Sequence, residues 1–247
     1  MSFELLVKNL FAAYPGSMEG DVLNGISFSA AKGERIALIG ANGAGKSTLL
    51  LCFTGIIPVR EGEIFVCGLN VEKKNLPAVR QNAALVFQNP DDQLFTSSVW
   101  EDVLFGPLNY LEQQKLPPAF RAERHVQIEA EAKLQLEKLG ILYLKDKMPH
   151  KLSGGEKRQA ALACVLVMNP RILLLDEPSA HLDPRARRAL ISTLGGLPQT
   201  QIIATHDFDL AKALCSRAII LHKGQIHAEG DTAALLSNTA LLEECGL

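Results

Sequence analysis

The sequence predicts an α/β fold in which a mostly parallel sheet is covered by helices on both faces. Two patterns support the sheet: short apolar strands that alternate with helical stretches, and a glycine-rich loop between a strand and a helix. Residues 98–148 show no strand pattern, are charged and have a helix-forming composition, which indicates a helical subdomain inserted into the core. The length of 247 residues and the 47% hydrophobic content fit one large domain with such a subdomain.

The individual elements are predicted from apolar patterns and turn residues. Two strands, Leu5–Phe11 and Ile26–Ser29, flank a turn-rich stretch at residues 14–17. A hairpin turn is expected at residues 222–225 and a short helical tail at residues 231–247. The other predicted elements are the strands Arg35–Ile39, Ile64–Cys67, Ala83–Phe87, Ile172–Leu175, Gln201–Thr205 and Arg217–Leu221, and the helices Ser47–Phe53 and Ala160–Met168.

Charge and apolar runs exclude several classes of protein. The 25 Lys and Arg residues against 27 Asp and Glu residues leave no basic excess, so no nucleic acid is expected as an obligatory partner. The longest purely apolar run, Ala160–Met168, is about half of the roughly 18 residues that a membrane helix needs. The first ten residues lack a signal-peptide pattern, so any membrane role is expected to come through a partner. The five scattered cysteines indicate reduced, mostly buried thiols in a cytosolic protein.

A phosphate-binding loop is predicted at Gly40–Ser47, which matches G-x-x-x-x-G-K-[ST]. Glycines let the backbone turn its N–H groups around phosphate oxygens, and a helix that begins near Lys46 adds the positive end of its dipole. Lys46 can then reach the β- and γ-phosphates, and the Ser47 hydroxyl can hold Mg²⁺. The alternative, a strand-to-helix turn that binds nothing, is disfavoured because the loop follows an apolar strand and opens a helix.

An apolar strand that ends in two carboxylates is the second candidate site. Asp176 and Glu177 follow Leu173–Leu175, and ligands of open α/β sheets bind at the carboxyl ends of strands. Asp176 is therefore expected to hold Mg²⁺, directly or through water, and Glu177 to act as general base or to position the attacking water. A solvated acidic turn is the alternative, which the phosphate loop earlier in the chain disfavours.

A second glycine motif, LSGGEKRQ, covers Leu152–Gln159. Ser153 is a good helix N-cap, and the two following glycines leave backbone N–H groups open to an anion, although an ordinary capped helix has the same pattern. With the two sites above, the motif resembles the LSGGQ signature of the ABC-transporter ATPases, with Glu156 in place of the usual Gln. The resemblance covers residues 3 to about 230.

The resemblance implies both a fold and an assembly. The fold is a P-loop NTPase core of the ABC ATPase type in a single domain. The core and an N-terminal antiparallel β subdomain together cover about 1–97 and 169–230. An inserted α-helical subdomain covers about 98–168, and a short helical tail covers 231–247. The implied assembly is a two-fold homodimer with two ATP molecules and Mg²⁺ at the interface, where the signature of one subunit covers the γ-phosphate held by the other. Such a chain is an ATPase that couples hydrolysis to transport.

Further motif positions are assigned by the same resemblance. Tyr14 matches the aromatic residue that stacks on adenine, with an exposed turn tyrosine as the alternative. Gln88 matches the glutamine that senses Mg²⁺ and the membrane partner, and His206 matches the switch histidine near the γ-phosphate. Asp183 is the usual aspartate of the loop that crosses to the second subunit, and His181 in that loop is bulkier than usual.

The expected site residues fall into three groups. They are the catalytic residues Lys46, Gln88, Glu177 and His206; the Mg²⁺ ligands Ser47, Gln88 and Asp176; and the nucleotide contacts Tyr14, Gly40, Asn42, Gly43, Ala44, Gly45, Lys46, Ser47, Thr48, Ser153, Gly154, Gly155, Glu156 and Asp183.

The type of ABC ATPase is indicated by Phe87–Phe95 (FQNPDDQLF), which is followed by EDV at 101–103 and FGP at 105–107. The pattern is similar to that of energy-coupling factor (ECF) ATPases, which serve importers of vitamins and of cobalt or nickel ions. The tail Leu241–Leu247 resembles the ending of cobalt-transport (CbiO-type) ATPases. The resemblance implies a cobalt importer, with nickel and biotin as alternatives. The implied partners are an integral-membrane scaffold (T component) and a substrate-capture protein, at the cytoplasmic face of the membrane.

In that family a coupling helix of the scaffold lies in a groove after Gln88. Leu94, Phe95 and Trp100 are expected in the groove or the core. The carboxylates at 91 and 92 are expected either to pair with arginines of that helix or to act as N-caps. A conventional importer or exporter ATPase, a soluble ABC ATPase and a regulatory scaffold without turnover are the rival classes. His222 and His227 are expected at exposed turn positions rather than in a metal site.

Overall fold

Residues 3–16 and 20–247 are described by the computed structural model; the predicted turn residue Ser17 lies outside them. The strands are β1 (Phe3–Ala12), β2 (Leu23–Ala31), β3 (Arg35–Ile39), β4 (Glu61–Val66), β5 (Leu69–Asn70), β6 (Ala83–Val86), β7 (Ile172–Asp176), β8 (Thr200–Ala204), β9 (Arg217–His222) and β10 (Gln225–Asp231). The helices are α1 (Lys46–Phe53), α2 (Leu76–Asn82), α3 (Val99–Gln113), α4 (Pro118–Lys138), α5 (Gly154–Leu166), α6 (Pro184–Gly195), α7 (Phe208–Leu214), α8 (Thr232–Leu235) and α9 (Thr239–Glu244).

Two sheets make up the strand architecture. The four-stranded sheet has the order β2-β1-β4-β5 and is antiparallel throughout. The six-stranded sheet has the order β10-β9-β3-β8-β7-β6, and only its β10–β9 pair is antiparallel. The predicted N-terminal antiparallel strands, the mostly parallel sheet and the hairpin at 222–225 are confirmed, and Gln225 pairs with His222 in that hairpin.

The chain divides into two compact units. The first consists of Met1–Gln88, Pro170–Ala180 and Leu194–Leu247 and contains both sheets. Its parallel strands are buried along nearly their whole length, as for Leu174 in β7 and Ile202 in β8, because a parallel sheet is covered on both faces. The carboxyl ends of β3, β6, β7 and β8 therefore meet at one edge of this sheet, where the segments that follow them can share a ligand.

The second unit consists of Asn89–Asn169 and His181–Thr193 and is helical. Apolar faces of α3, α4 and α5 supply its core, with Val103, Leu136 and Ala160 buried together. The predicted helical subdomain, about residues 98–168, is smaller than this unit, which begins at Asn89 and also includes His181–Thr193. The predicted helix Ala160–Met168 is wrong in extent, because the cap at Ser153 starts α5 before the apolar run and the helix ends at Leu166.

Two short elements of the structure are absent from the sequence predictions. Neither β5 nor α2 is predicted, and β5 has only two residues, too few for an alternating pattern. All five cysteines are free thiols, and Cys52, Cys215 and Cys245 are buried.

Within residues 3–16 and 20–247, no helix combines the length and apolar character needed to span a membrane.

Candidate active site

The glycine loop between β3 and α1 has a backbone that only glycine adopts easily. Gly43 and Gly45 lie in the left-handed region, with φ of 82° and 103°. A Cβ atom on Gly40 would lie 2.6 Å from the carbonyl oxygen of Leu221, so the loop packs too closely for any side chain there. Gly45 caps α1, and within the described chain no side chain accepts the first N–H groups of that helix. These donors can bind phosphate oxygens.

Lys46 is buried and lies over the loop that precedes it. Its Nζ donates hydrogen bonds to the carbonyl oxygens of Gly40 (2.7 Å) and Ala41 (3.3 Å). The same Nζ is 3.9 Å from Oε1 of Glu177, and both side chains are only 7% exposed. The structure therefore brings the lysine of the loop and the carboxylate that directly follows β7 into one buried ion pair.

Glu177 follows β7 in a strained conformation, with φ of 44°. Its backbone N–H donates to the carbonyl oxygen of Ala204 (2.8 Å), which ties the turn to β8. The imidazole Nδ1 of His206 is 2.9 Å from Glu177 Oε2, and the backbone N–H of His206 donates to the same oxygen (3.3 Å). The His206 side chain is 67% exposed, so the carboxylate joins a buried ammonium group to an accessible imidazole.

The remaining candidates in this unit lie at the same sheet edge or beside α1. The hydroxyl of Tyr14 is 3.3 Å from Oγ1 of Thr48, which fixes the half-exposed tyrosine ring beside the first turn of α1. Ser47 and Asp176 are half-buried, and Gln88 is exposed after β6. Hydroxyl, carboxylate and amide oxygens suit Mg²⁺, which is commonly held by one or two carboxylates together with substrate phosphates. The donor set therefore fits this ion.

Asp207 is a site residue that the sequence reasoning missed. Its Oδ2 accepts a hydrogen bond from the Ser179 hydroxyl (2.9 Å), and its Oδ1 accepts the N–H of Leu210 (3.0 Å) as the N-cap of α7. The bond to Ser179 links the segment after β7 to the segment after β8. An aspartate directly before a helical pattern is a recognisable cap signal, but its cross-strand partner leaves no local signal in the sequence.

In the second unit, the signature residues begin α5. Ser153 is the N-cap and forms a capping box with Glu156: the Glu156 N–H donates to Ser153 Oγ (3.3 Å), and the Ser153 N–H donates to Glu156 Oε2 (2.8 Å). The Ser153 hydroxyl also donates to Oε2 (2.8 Å), and the Tyr143 hydroxyl donates to Oε1 (3.3 Å). The hydrogen bonds from the Ser153 backbone and hydroxyl lower the pKa of the Glu156 carboxyl below its ordinary value.

The same residues line a cavity of about 670 Å³. Asp183 also lines it and accepts hydrogen bonds from the N–H groups of Arg185 (2.8 Å) and Ala186 (2.9 Å) at the start of α6. A Cβ on Gly155 would come to 3.4 Å from the Ala186 Cβ, whereas Gly154 has open space. The signature and the predicted crossing loop therefore share one cavity within this unit.

An exposed aromatic pair distinguishes the segment after Gln88. Leu94 is buried, but Phe95 is 63% exposed and meets the half-exposed Phe105 edge-on, with 4.9 Å between ring centroids. Trp100 is half-buried and packs against the core of the helical unit.

The acidic residues of this segment are not N-caps, and that alternative is wrong. Asn89 caps the 3₁₀ turn Pro90–Asp92, and Asp91 forms an ion pair with Lys157 of α5 (2.6 Å). The neighbouring Gln93 donates to the carbonyl oxygen of Ala161 (2.8 Å), so the segment is attached to α5 at two points.

The two histidines of the hairpin lie in strands rather than in the turn, and His222 is half-buried, so their prediction as exposed turn positions is wrong in part. The rings of His222 and His227 are 5.8 Å apart between centroids. In the part of the chain that the structure describes, no group of three or more His, Cys, Asp or Glu residues is placed to hold a metal ion.

A parallel sheet with a glycine loop, a buried lysine and an acidic strand end defines a P-loop nucleoside triphosphatase. A family model described as "ABC transporter" matches residues 23–180. The chain belongs to that family, and it binds ATP and couples ATP hydrolysis to transport.

Individual proteins resemble the chain over nearly its whole length. A putative ABC transporter ATP-binding protein of Geobacter sulfurreducens is 45% identical over 98% of this chain and 92% of its own. The energy-coupling factor transporter ATP-binding protein EcfA of Methanocaldococcus jannaschii is 39% identical over 97% of this chain and 83% of its own. The solved structure of cbiO1 from Clostridium perfringens, part of the ABC transporter complex cbiONQ, is 34% identical with a TM-score of 0.79 and covers 99% of this chain and 94% of its own.

Proposed function

We propose that this chain is the ATP-hydrolysing subunit of an ECF-type importer and works as a homodimer that closes around two ATP molecules. The transported solute is proposed to be cobalt, with nickel and biotin or another vitamin as the alternatives. The observation that carries the proposal is the FQNPDDQLF segment with its exposed Phe95–Phe105 pair, in a chain similar to proteins named EcfA and cbiO1. The protein then lies at the cytoplasmic face of the membrane, bound to its partners.

The catalytic proposal assigns one role to each side chain around the loop. Lys46 exchanges its loop carbonyls and Glu177 for the β- and γ-phosphate oxygens, which are stronger partners for an ammonium group. Glu177 orients the attacking water and accepts its proton, and His206, held by that carboxylate, stabilises charge on the transferring phosphoryl group. Ser47, Asp176 and Gln88 would hold Mg²⁺, which neutralises phosphate charge when bound.

Nucleotide recognition is proposed to use both units. The ring of Tyr14, fixed by Thr48, stacks on adenine next to the loop Gly40–Gly45. Ser153 and Gly155 of the second copy bind the γ-phosphate, and Asp183 supports the crossing loop. ATP stabilises the closed dimer because only that state contacts the γ-phosphate from both copies.

The docking proposal concerns the face of the helical unit that carries Phe95 and Phe105. Two exposed aromatic rings in contact present apolar area of the kind that anchors a partner. A coupling helix of the membrane scaffold packs on this pair, and arginines of that helix approach the exposed carboxylates of Asp91 and Asp92. The segment Phe87–Phe95 is attached to α5 by the ion pair between Asp91 and Lys157. This attachment carries the movement of the dimer to the membrane partner.

The proposal is tested by purifying the tagged chain from its native membranes in mild detergent and identifying its partners by mass spectrometry. We expect one scaffold protein and one small capture protein, and their joint absence would overturn the ECF assignment. Phe95→Ala should abolish this co-purification. Phe120→Ala on α4 is the matched control, since Phe120 is 64% exposed and Phe95 is 63% exposed. Uptake of labelled cobalt by cells that produce the whole complex, with nickel and biotin as competitors, identifies the solute.

A further inference from the structure

The carboxylate of Glu156 occupies the hydrogen-bond donors of Ser153, a residue that the proposed function assigns to ATP. Both donors of Ser153, its backbone N–H and its hydroxyl, end on the same oxygen, Oε2, at 2.8 Å each. A serine hydroxyl has one proton, so this proton cannot also be given to a phosphate oxygen. In the described structure the signature serine is therefore satisfied by an anion from its own helix.

The other oxygen of the carboxylate is held as well. The Tyr143 hydroxyl donates to Oε1 (3.3 Å), and Lys147 places its ammonium group 5.5 Å from the centre of the Tyr143 ring. The Glu156 carboxyl is ionised at neutral pH, because hydrogen bonds from Ser153 favour the charged form and lower its pKa. All of these contacts lie within the helical unit, and Tyr143, Ser153 and Glu156 line its 670 Å³ cavity together with Asp183.

We propose that Glu156 is a positioning residue that holds Ser153 in a self-satisfied state and opposes closure of the ATP-bound dimer until the γ-phosphate displaces it. The phosphate and the carboxylate compete for the same two donors, and their like charges repel each other. The carboxylate thereby raises the ATP concentration needed for closure. Tyr143 strengthens this effect by holding the carboxylate in place. The inference rests on the proposed function, because it needs the second copy to deliver ATP to this cavity.

The substitution E156Q separates charge from structure. Glutamine also completes a capping box with a serine N-cap, so α5 keeps its start and the protein its thermal stability. Glutamine cannot offer an anionic acceptor, and bonds to a charged group are stronger than bonds to a neutral one by an amount that corresponds to about five-fold in an equilibrium. E156Q should therefore lower the half-saturating ATP concentration for dimer formation by about five-fold per site.

The measurement is sedimentation of the full chain during a titration with ATP and Mg²⁺, in a Glu177→Gln background that prevents turnover. We expect tighter dimerisation in E156Q, and a smaller shift in the same direction for Tyr143→Phe, which removes one hydrogen bond and keeps the ring. In the chain with native Glu177, the KM for ATP should fall more than kcat changes.

The outcomes distinguish the inference from the function on which it rests. If the background variant dimerises with ATP and E156Q does so no more tightly, at equal thermal stability, the role of Glu156 is overturned. If the background variant forms no dimer at any ATP concentration, the proposed ATP-bound homodimer is wrong and the inference falls with it. E156A removes both charge and capping box, and a loss of thermal stability in E156A alone confirms that the E156Q effect comes from charge.

Discussion

Replacing Glu177 with glutamine tests the centre of the proposed mechanism with almost no change of shape. The side chain is buried at the end of β7, and its two oxygens contact two different groups, Lys46 Nζ at 3.9 Å and His206 Nδ1 at 2.9 Å. Glutamine keeps the length, the planar end and one acceptor oxygen. It removes the negative charge and the capacity to accept a proton from water. Hydrolysis should therefore collapse in a protein that still folds and binds ATP.

The size of each effect follows from the distances. A full charge pair at 3.9 Å in a medium of effective dielectric constant about 20 attracts with about 4 kcal/mol. In the variant Lys46 no longer has this competing partner, so the affinity for ATP should be retained or increased. Loss of a general base lowers turnover by about 10²–10⁴-fold, which corresponds to about 3–5.5 kcal/mol in the barrier.

Two assays read these effects separately. Phosphate release under saturating ATP gives turnover, and calorimetric titration with ATP gives affinity. Lys46→Ala is the matched comparison, because it removes the other partner of the same ion pair and should lose affinity as well as turnover. Turnover of Glu177→Gln within about ten-fold of the native chain would refute the assignment of Glu177 as general base.

Three further predictions concern other parts of the molecule. Tyr14→Ala should raise the KM for ATP by about ten-fold through loss of stacking on adenine, whereas Tyr14→Phe should stay within about two-fold in the same kinetic assay. Asp102 is buried and accepts the N–H groups of Phe95 (3.1 Å) and Thr96 (3.0 Å), so Asp102→Ala should lower the free energy of unfolding in urea by about 1–3 kcal/mol and Asp102→Asn by less. Burial raises the pKa of the Cys52 thiol from 9.0 to about 12, so the unfolded chain loses this proton first. The free energy of unfolding should therefore fall between pH 9 and 12, and this part of the fall should disappear in Cys52→Ala.

The sequence predicts those elements whose cause is local. A strand such as β3 is visible in the sequence as an arginine and four apolar residues before a glycine loop. Its bounds are confirmed at Arg35–Ile39. The start of α5 shows how a local signal can outweigh periodicity: the capping box at Ser153 sets the first residue, although the apolar run begins only at Ala160. The run instead marks where the helix enters the core.

Contacts between segments that are far apart in the chain could not be predicted. The distance between His206 and Glu177 depends on the parallel pairing of β7 with β8, and that between Asp91 and Lys157 depends on how a 3₁₀ turn packs against α5. Glu177, His206 and Asp91 were singled out in the sequence for their chemistry or charge, but the ion pairs that they form were not predicted. A sequence of motifs states which groups are present, whereas register and packing decide which of them meet.

The two surfaces that we propose to bind phosphate share a feature that only these contacts reveal. In the first unit the carboxylate of Glu177 lies against the buried ammonium group of Lys46, and in the second the carboxylate of Glu156 accepts both donors of Ser153. At each surface an internal anion therefore partly satisfies groups that the phosphates of ATP would contact. Binding is then an exchange of one anion for another, and its free energy is a difference between two strong interactions. Such a difference is small and easily shifted. A single amide substitution at either carboxylate should therefore change the ATP concentration at which the proposed dimer closes far more than it changes the stability of the fold.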